Sequence, residues 1–207
     1  MNITIRSHNS YTGLIVDNVI QSVYPPPDMG YWQHMIPDSI PNFNPENALL
    51  LGVGGGTICR LLQDKFPNIK ITGIDNSKEI IENARKYLKF DEVKINLVIA
   101  DAFDYLYKIN DKYDLIIVDI WNGYWFPFQV LSIDFIRRCK ELLKEHGWMY
   151  INAPNLDFLA ELSTKNIYKK TVKVNTVYSF EKIEVDKKEE KEYKRQNGVS
   201  EKEPAII

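Results

Sequence analysis

The chain has 207 residues, enough for one sizeable domain around a single core. Apolar residues make up 44% and charged residues 26%, and the formal net charge is −2, which leaves no electrostatic footprint for nucleic acid or an anionic membrane. No apolar run reaches the ~18 residues of a spanning helix, and the opening MNITIRSHNS lacks the charged-then-apolar layout of a leader.

In chain order, ITI (3–5) and GLIVDNVIQSVY (13–24) are rich in β-branched residues and predict a hairpin. PPPD (25–28), Pro37, Pro41 and Pro45 predict an irregular stretch after it. ALLLGV (48–53) reads as a strand buried on both faces. Helix and strand then alternate: a helix over 56–66, a strand IKITGID (69–75), and a helix over 78–89 that Ser77 can cap. A strand INLVIAD (95–101), a short helix near 102–108 and the strand YDLIIVDI (113–120) follow. Next come a helix over 132–144 with Gly147 at its end, the strand WMYINAP (148–154) and a helix over 156–165. KTVKVNTVYSF and EKIEVD predict a closing antiparallel pair, and the charged segment from Lys187 onward predicts disorder.

This alternation predicts an α/β three-layer sandwich of Rossmann-like type, with a seven-stranded, mostly parallel sheet and a small N-terminal β extension. The expected division is 1–45 for the β extension on the substrate side, 46–186 for the ligand-binding domain and 187–207 for the tail. Cys59 and Cys139 fall in predicted helices with no metal or redox spacing, so they read as reduced core residues of a cytoplasmic protein. No cluster has metal-ligand spacing.

The stretch LLLGVGGGTICRLL (49–62) puts four glycines within five positions, between a strand and a helix. Glycines there permit a tight turn and close backbone approach, and the helix N-terminus offers free N–H groups to a nucleotide-like ligand. Gly52 and Gly54 fit a dinucleotide fingerprint, but Thr57 stands in its third place. Gly52, Gly54 and Gly56 instead spell G-x-G-x-G, a loop typical of S-adenosylmethionine-dependent transferases.

Three acids, Asp75, Asp101 and Asp119, each end a predicted parallel strand. Ligands of open α/β sheets bind outside the carboxyl ends of the strands, so all three belong on the rim beside the glycine loop. Asp75 follows the loop at about the ~20-residue spacing of an acid that accepts ribose hydroxyls. Asp101, next to Ala102, suits the adenine amino group. Each acid also has a structural alternative: a helix cap for Asp75 and Asp101, a backbone partner for Asp119.

From about Leu14 to Pro154 the chain resembles the spermidine synthase group within the class I S-adenosylmethionine-dependent methyltransferase fold. The matching pieces are LLLGVGGGTICRLL, ITGIDNSKEIIENARKYL, LVIADAFDYL and YDLIIVDIWNG, in order. The resemblance implies that Gly52, Gly54, Gly55 and Gly56 line the methionine end of the cofactor, with Gln21 helping to hold it. Asp75 would bind the ribose, Asp101 and Ala102 would flank the adenine, and Asn76 is expected among the cofactor-binding residues. Asp119 matches the acid that deprotonates the acceptor nitrogen. GYWQHMIP puts Trp32, Gln33 and His34 where the family has a Tyr-His-Glu substrate segment, so Trp32 and His34 are expected at the substrate.

Two departures bear on the reaction. The family carries an acid inside its loop, GGGDGG, which meets the amine of decarboxylated S-adenosylmethionine; alignment on Thr57 puts Gly54 there. The family's DSSD reads DIWN here, so Asn122 replaces the acid that binds the substrate ammonium, and an amide supplies no charge-assisted bond to a cation. The aromatic run WNGYWFPF (121–128) places Trp121 and Tyr124 at the expected mouth, where they can stack on a ligand or pack against the N-terminal segment or a second subunit of a homodimer.

The leading expectation is therefore methyl transfer from S-adenosylmethionine to a small molecule, an amine among the candidates, with Asp119 as the catalytic group. The alternatives are aminopropyl transfer from decarboxylated S-adenosylmethionine and a non-catalytic binding or regulatory subunit of the same fold.

Overall fold

The computed structural model describes residues 1–28, 30–38, 40–121, 123, 126–154, 168–172 and 175–181. The expected helix over 156–165 and the tail from Lys187 lie outside them.

Three strands, β1 (Ile3–His8), β2 (Tyr11–Val16) and β3 (Val19–Tyr24), form a small antiparallel sheet. The sequence reads 13–24 as one strand, but Asp17 and Asn18 both take positive φ, 48° and 67°, and break it into two. Two left-handed residues make the tight connection whose twist suits a hairpin, and Asp and Asn tolerate that conformation best after glycine. The proline-rich stretch that follows contains one helical turn, α1 (Tyr31–His34).

The main sheet has seven strands. Five are β4 (Asn47–Leu51), β5 (Lys70–Asp75), β6 (Ile95–Ile99), β7 (Tyr113–Val118) and β8 (Leu143–Asn152). The last two are β9 (Tyr168–Val172) and β10 (Asn175–Glu181). Their order is β6-β5-β4-β7-β8-β10-β9. The first five run parallel, and β10 and β9 close the edge antiparallel. On one face lie α2 (Thr57–Lys65) and α3 (Lys78–Tyr87); on the other lie α4 (Ala102–Leu106) and α5 (Ile133–Leu142). β4 shows why its sequence is wholly apolar: Ala48 and Leu50 enter one core, Leu49 and Leu51 the other. Cys59 and Cys139 are buried free thiols in those two cores. No helix among the described residues is long and apolar enough to cross a membrane.

Two local expectations change. Helix α5 stops at Leu142 and β8 begins at once. The pairing with β7 then jumps from Tyr113↔Leu143 to Leu115↔Trp148, so 144–147 form a bulge in which His146 has a φ of 59°. Gly147 belongs to that bulge and not to a helix end. At the sheet edge, 170–180 supplies parts of both closing strands instead of one, and of EKIEVD only Glu181 lies within β10.

The topology fixes the site. From β4 the chain winds outward through β5 to β6, then returns to place β7 on the other side of β4. The carboxyl ends of β4 and β7 diverge there, the switch point at which open α/β sheets bind ligands.

Candidate functional site

The glycine loop leaves β4 at this switch point. Gly52, Gly54 and Gly56 all have positive φ, 87°, 54° and 82°. The loop is tied down from two sides. Asp75, at the end of β5, accepts from the N–H groups of Val53 and Gly54 through Oδ2, at 3.1 and 2.8 Å, and from Ser77 N–H through Oδ1, at 2.9 Å. Burial raises the Asp75 pKa above the usual carboxylate value, and the three N–H bonds hold it back. From the N-terminal sheet, Ser22 Oγ accepts from Gly55 N–H at 2.6 Å. Thr57 Oγ1 both donates to and accepts from the Val23 backbone, clamping β3 onto the start of α2.

Asp119 follows β7 directly. Its Oδ1 accepts from Asn152 Nδ2 at 2.8 Å and its Oδ2 from the Tyr31 hydroxyl at 3.2 Å. Asn152 is fully buried at the end of β8 and also donates to Asn175 Oδ1 at 3.2 Å. Burial pushes the Asp119 pKa up to about 6, against the two hydrogen bonds that lower it. A carboxyl poised there can take a proton near neutral pH. Burial, and after it the charge and hydrogen bond of Asp119, push the Tyr31 hydroxyl well above its ordinary value.

A cavity of about 260 Å³ lies between loop and acid. Of the residues the sequence singles out, Gln21, Gly52, Gly54, Asp75, Asn76, Asp101, Ala102 and Asp119 line it, and so do Trp32 and Trp121. Gly55 and Gly56 stand behind this wall, one bonded to Ser22 and the other opening α2. Asp101 also caps α4, accepting from Phe103 and Asp104 N–H at 2.8 and 3.1 Å, so the capping role and a place on the rim coexist. His34 does not join the group: it lines a separate groove with Trp148 and Tyr150. Asn122 and Tyr124 lie outside the described residues. Trp121 Nε1 is buried beside the cavity with no hydrogen-bond partner among the described residues.

Sequence reasoning missed Tyr31, Ser22 and Asn152. A signal existed for Asn152, which ends a parallel strand just as Asp75 and Asp119 end or follow theirs. Tyr31 stood one residue before the expected segment, and nothing local marks Ser22.

Fold and site together define a Rossmann-like α/β protein with a glycine loop and three acids around one switch-point cavity. The family profile described as the spermine/spermidine synthase domain matches residues 31–186, and the chain belongs to that family. Among curated relatives, the polyamine aminopropyltransferase of Pyrobaculum islandicum is 29% identical over 159 residues, 72% of this chain and 55% of its own length. The probable polyamine aminopropyl transferase of Bifidobacterium longum is 36% identical over 110 residues, 53% of this chain and 24% of its own. The chain thus spans about half the length, or less, of these relatives. Among solved structures, a spermidine synthase in complex with the transition-state analogue AdoDATO superposes with a TM-score of 0.69 at 21% identity, covering 87% of this chain and 70% of its own. Human methyltransferase-like protein 13 in complex with SAH gives 0.59 at 19%, covering 79% and 85%. At such identities the superpositions speak to the fold alone. The names of the sequence relatives weigh toward aminopropyl transfer, the alternative above, over the methyl transfer that led the sequence reading.

Proposed function

We propose that the protein is an aminopropyltransferase that uses decarboxylated S-adenosylmethionine and a small amine. In this reading residues 46–186 bind the donor and residues 1–45 bring Tyr31 and Trp32 to the acceptor side. The donor's ribose meets Asp75 and its adenine lies beside Asp101 and Ala102, all of which line the cavity. The acceptor nitrogen attacks the propyl carbon next to sulfur, a C–N bond forms, and the C–S bond breaks. Its electron pair goes to sulfur, which leaves as the neutral thioether, and the proton of the new ammonium passes to Asp119. The sulfonium is already activated, so alignment and removal of that proton are the protein's share. Buried free Cys59 and Cys139 suit a reducing compartment, which supports a cytoplasmic setting.

The observation that carries the reading is the deeply set Asp119 carboxylate, held between Tyr31 and Asn152 beside the glycine loop. The test is incubation with decarboxylated S-adenosylmethionine and an amine, followed by detection of methylthioadenosine and the aminopropylated product. Absence of both at saturating donor refutes the reading.

One observation favours a second reading, methyl transfer from intact S-adenosylmethionine. A β-carbon on Gly54 would stand 2.8 Å from Ser22 Oγ, and the residue has a φ of +54°. The loop therefore has neither an acid to repel the donor's carboxylate nor room for one. Formation of S-adenosylhomocysteine from intact donor and an amine would establish it.

A further inference from the structure

Gly55 and Gly56 belong to the glycine loop but stand behind the cavity wall, and what packs against them gives their reason. A β-carbon on Gly55 would stand 2.7 Å from Ser22 Cβ and 3.1 Å from Leu88 Cδ1. One on Gly56 would stand 3.1 Å from Arg60 Nη1 and from the Phe90 ring. Both glycines make room for groups at the back of the loop. One of those groups is the side chain of Arg60 on α2, a residue only 9% exposed.

Arg60 Nη2 donates to Leu88 O and Lys89 O at 2.6 and 2.7 Å. Its Nη1 donates to Gly55 O and Gly56 O, each at a longer 3.4 Å. The guanidinium also lies over the Tyr24 ring, 4.8 Å from the centroid. Leu88 and Lys89 follow the last turn of α3, where free carbonyls and the helix dipole favour a cation. Tyr24 ends β3, beside the Ser22 and Val23 that clamp the loop and the start of α2. One side chain thus joins the glycine loop, the end of α3 and the end of β3.

The start of α3 is tied to the same loop, because Ser77 N–H shares the Asp75 carboxylate with Val53 and Gly54 N–H. The tethers divide the loop between them. Asp75 and Ser22 take the N–H groups of residues 53–55, and Arg60 takes the carbonyls of Gly55 and Gly56. A planar fork with five donors can span two pairs of carbonyls at once, which an ammonium on a flexible stem cannot.

We infer that Arg60 is a positioning residue of the donor site: it holds the carbonyl side of the glycine loop against α3 and β3, and so sets the surface that the loop's front presents to a nucleoside. Arg60 acts through the loop and does not meet the ligand. The inference rests on the transfer reading above for the ligand the loop receives.

The test titrates methylthioadenosine calorimetrically into full-chain wild type and Arg60→Lys, which keeps the charge and loses the fork. Both are measured under conditions where urea unfolding shows them fully native. Kd should rise at least tenfold in the variant. A residue that served stability alone would lower the unfolding midpoint and leave Kd of the native protein unchanged, and an unchanged Kd overturns the inference. Tyr24→Leu removes the ring under the guanidinium and should raise Kd at least threefold; it decides the matter if the lysine variant does not fold. Failure of wild type to bind methylthioadenosine would refute the transfer reading, and amide exchange then tests the tether by itself. In either variant, exchange at residues 54–57 should quicken at least tenfold while β4 and β7 keep their protection. A uniform change, or none, overturns the inference.

Discussion

The Cα of Gly52 lies against the backbone of Asp119 so closely that a β-carbon there would stand 2.1 Å from the Asp119 carbonyl oxygen and 3.2 Å from the Ile120 nitrogen. Asp119 N–H in turn donates to Leu51 O at 2.8 Å. The glycine loop and the acid are therefore one packed unit across the β4–β7 divide. Moving either moves the other, so the distance between the loop and the carboxylate is set by backbone contact and not by flexible side chains.

Gly52→Ala tests this unit. The substitution adds a steric collision with backbone and a side chain at a φ of +87°. We expect a loss of ~2–5 kcal/mol in urea unfolding, from strain and overpacking together. Activity should be lost even under conditions where the variant is folded. Near-wild-type stability would show that the two strand ends can part freely.

Asp75→Ala should weaken donor binding and the fold together. The carboxylate accepts three backbone N–H groups, two of them from the glycine loop. Truncation leaves these donors without their partner and, in the proposed reading, removes the acceptor for the donor's ribose. We expect ~1–3 kcal/mol lost in donor affinity by calorimetry, and a lower melting temperature without ligand. Loss of affinity with an unchanged melting temperature would mean that Asp75 serves the ligand alone.

Much of this architecture was legible because it rests on strong local signals. The run ALLLGV can only be satisfied between two covered faces, and Ser77 does cap α3, accepting from Ile80 N–H. The glycine loop and the strand-end acids followed from the rule that places ligands at carboxyl ends. What escaped was set by distant partners. Tyr31 reaches Asp119 across 88 positions of sequence and Ser22 reaches Gly55 across 33. The β8 bulge depends on register with β7, which no single segment encodes. Methyl transfer led the sequence reading because Gly54 and Asn122 are local departures, whereas the family membership that weighs against it is spread over 31–186.

Tyr31→Phe should shift the acid limb of the pH–rate profile. The tyrosine hydroxyl donates to ionised Asp119 and so helps hold its pKa down. Without that bond the pKa rises further above its present value of about 6, and the profile's acid limb moves to higher pH. The ring contact with Trp32 survives in phenylalanine, so a role in packing alone predicts an unmoved limb.

Asp119→Asn should abolish transfer and yet stabilise the protein at neutral pH. In the folded chain burial raises this carboxyl to about 6, against ~3.9 when unfolded. The native state therefore binds the proton more tightly than the unfolded state does. Between about pH 4 and pH 6 the native state holds the extra proton, and stability from this group falls as pH rises through that window. Above it, wild type carries the full cost of an ionised buried carboxyl. Two pKa units correspond to at most ~3 kcal/mol, reduced by whatever screening water provides through the open side of the cavity. Asparagine carries no such cost, and its amide can still accept from Asn152 while the Tyr31 hydroxyl turns to accept from it. Urea unfolding should thus show the variant more stable than wild type at pH 8, with the difference shrinking to near zero at pH 4. A variant less stable at pH 8 would show that the hydrogen bonds to the charged form outweigh its desolvation.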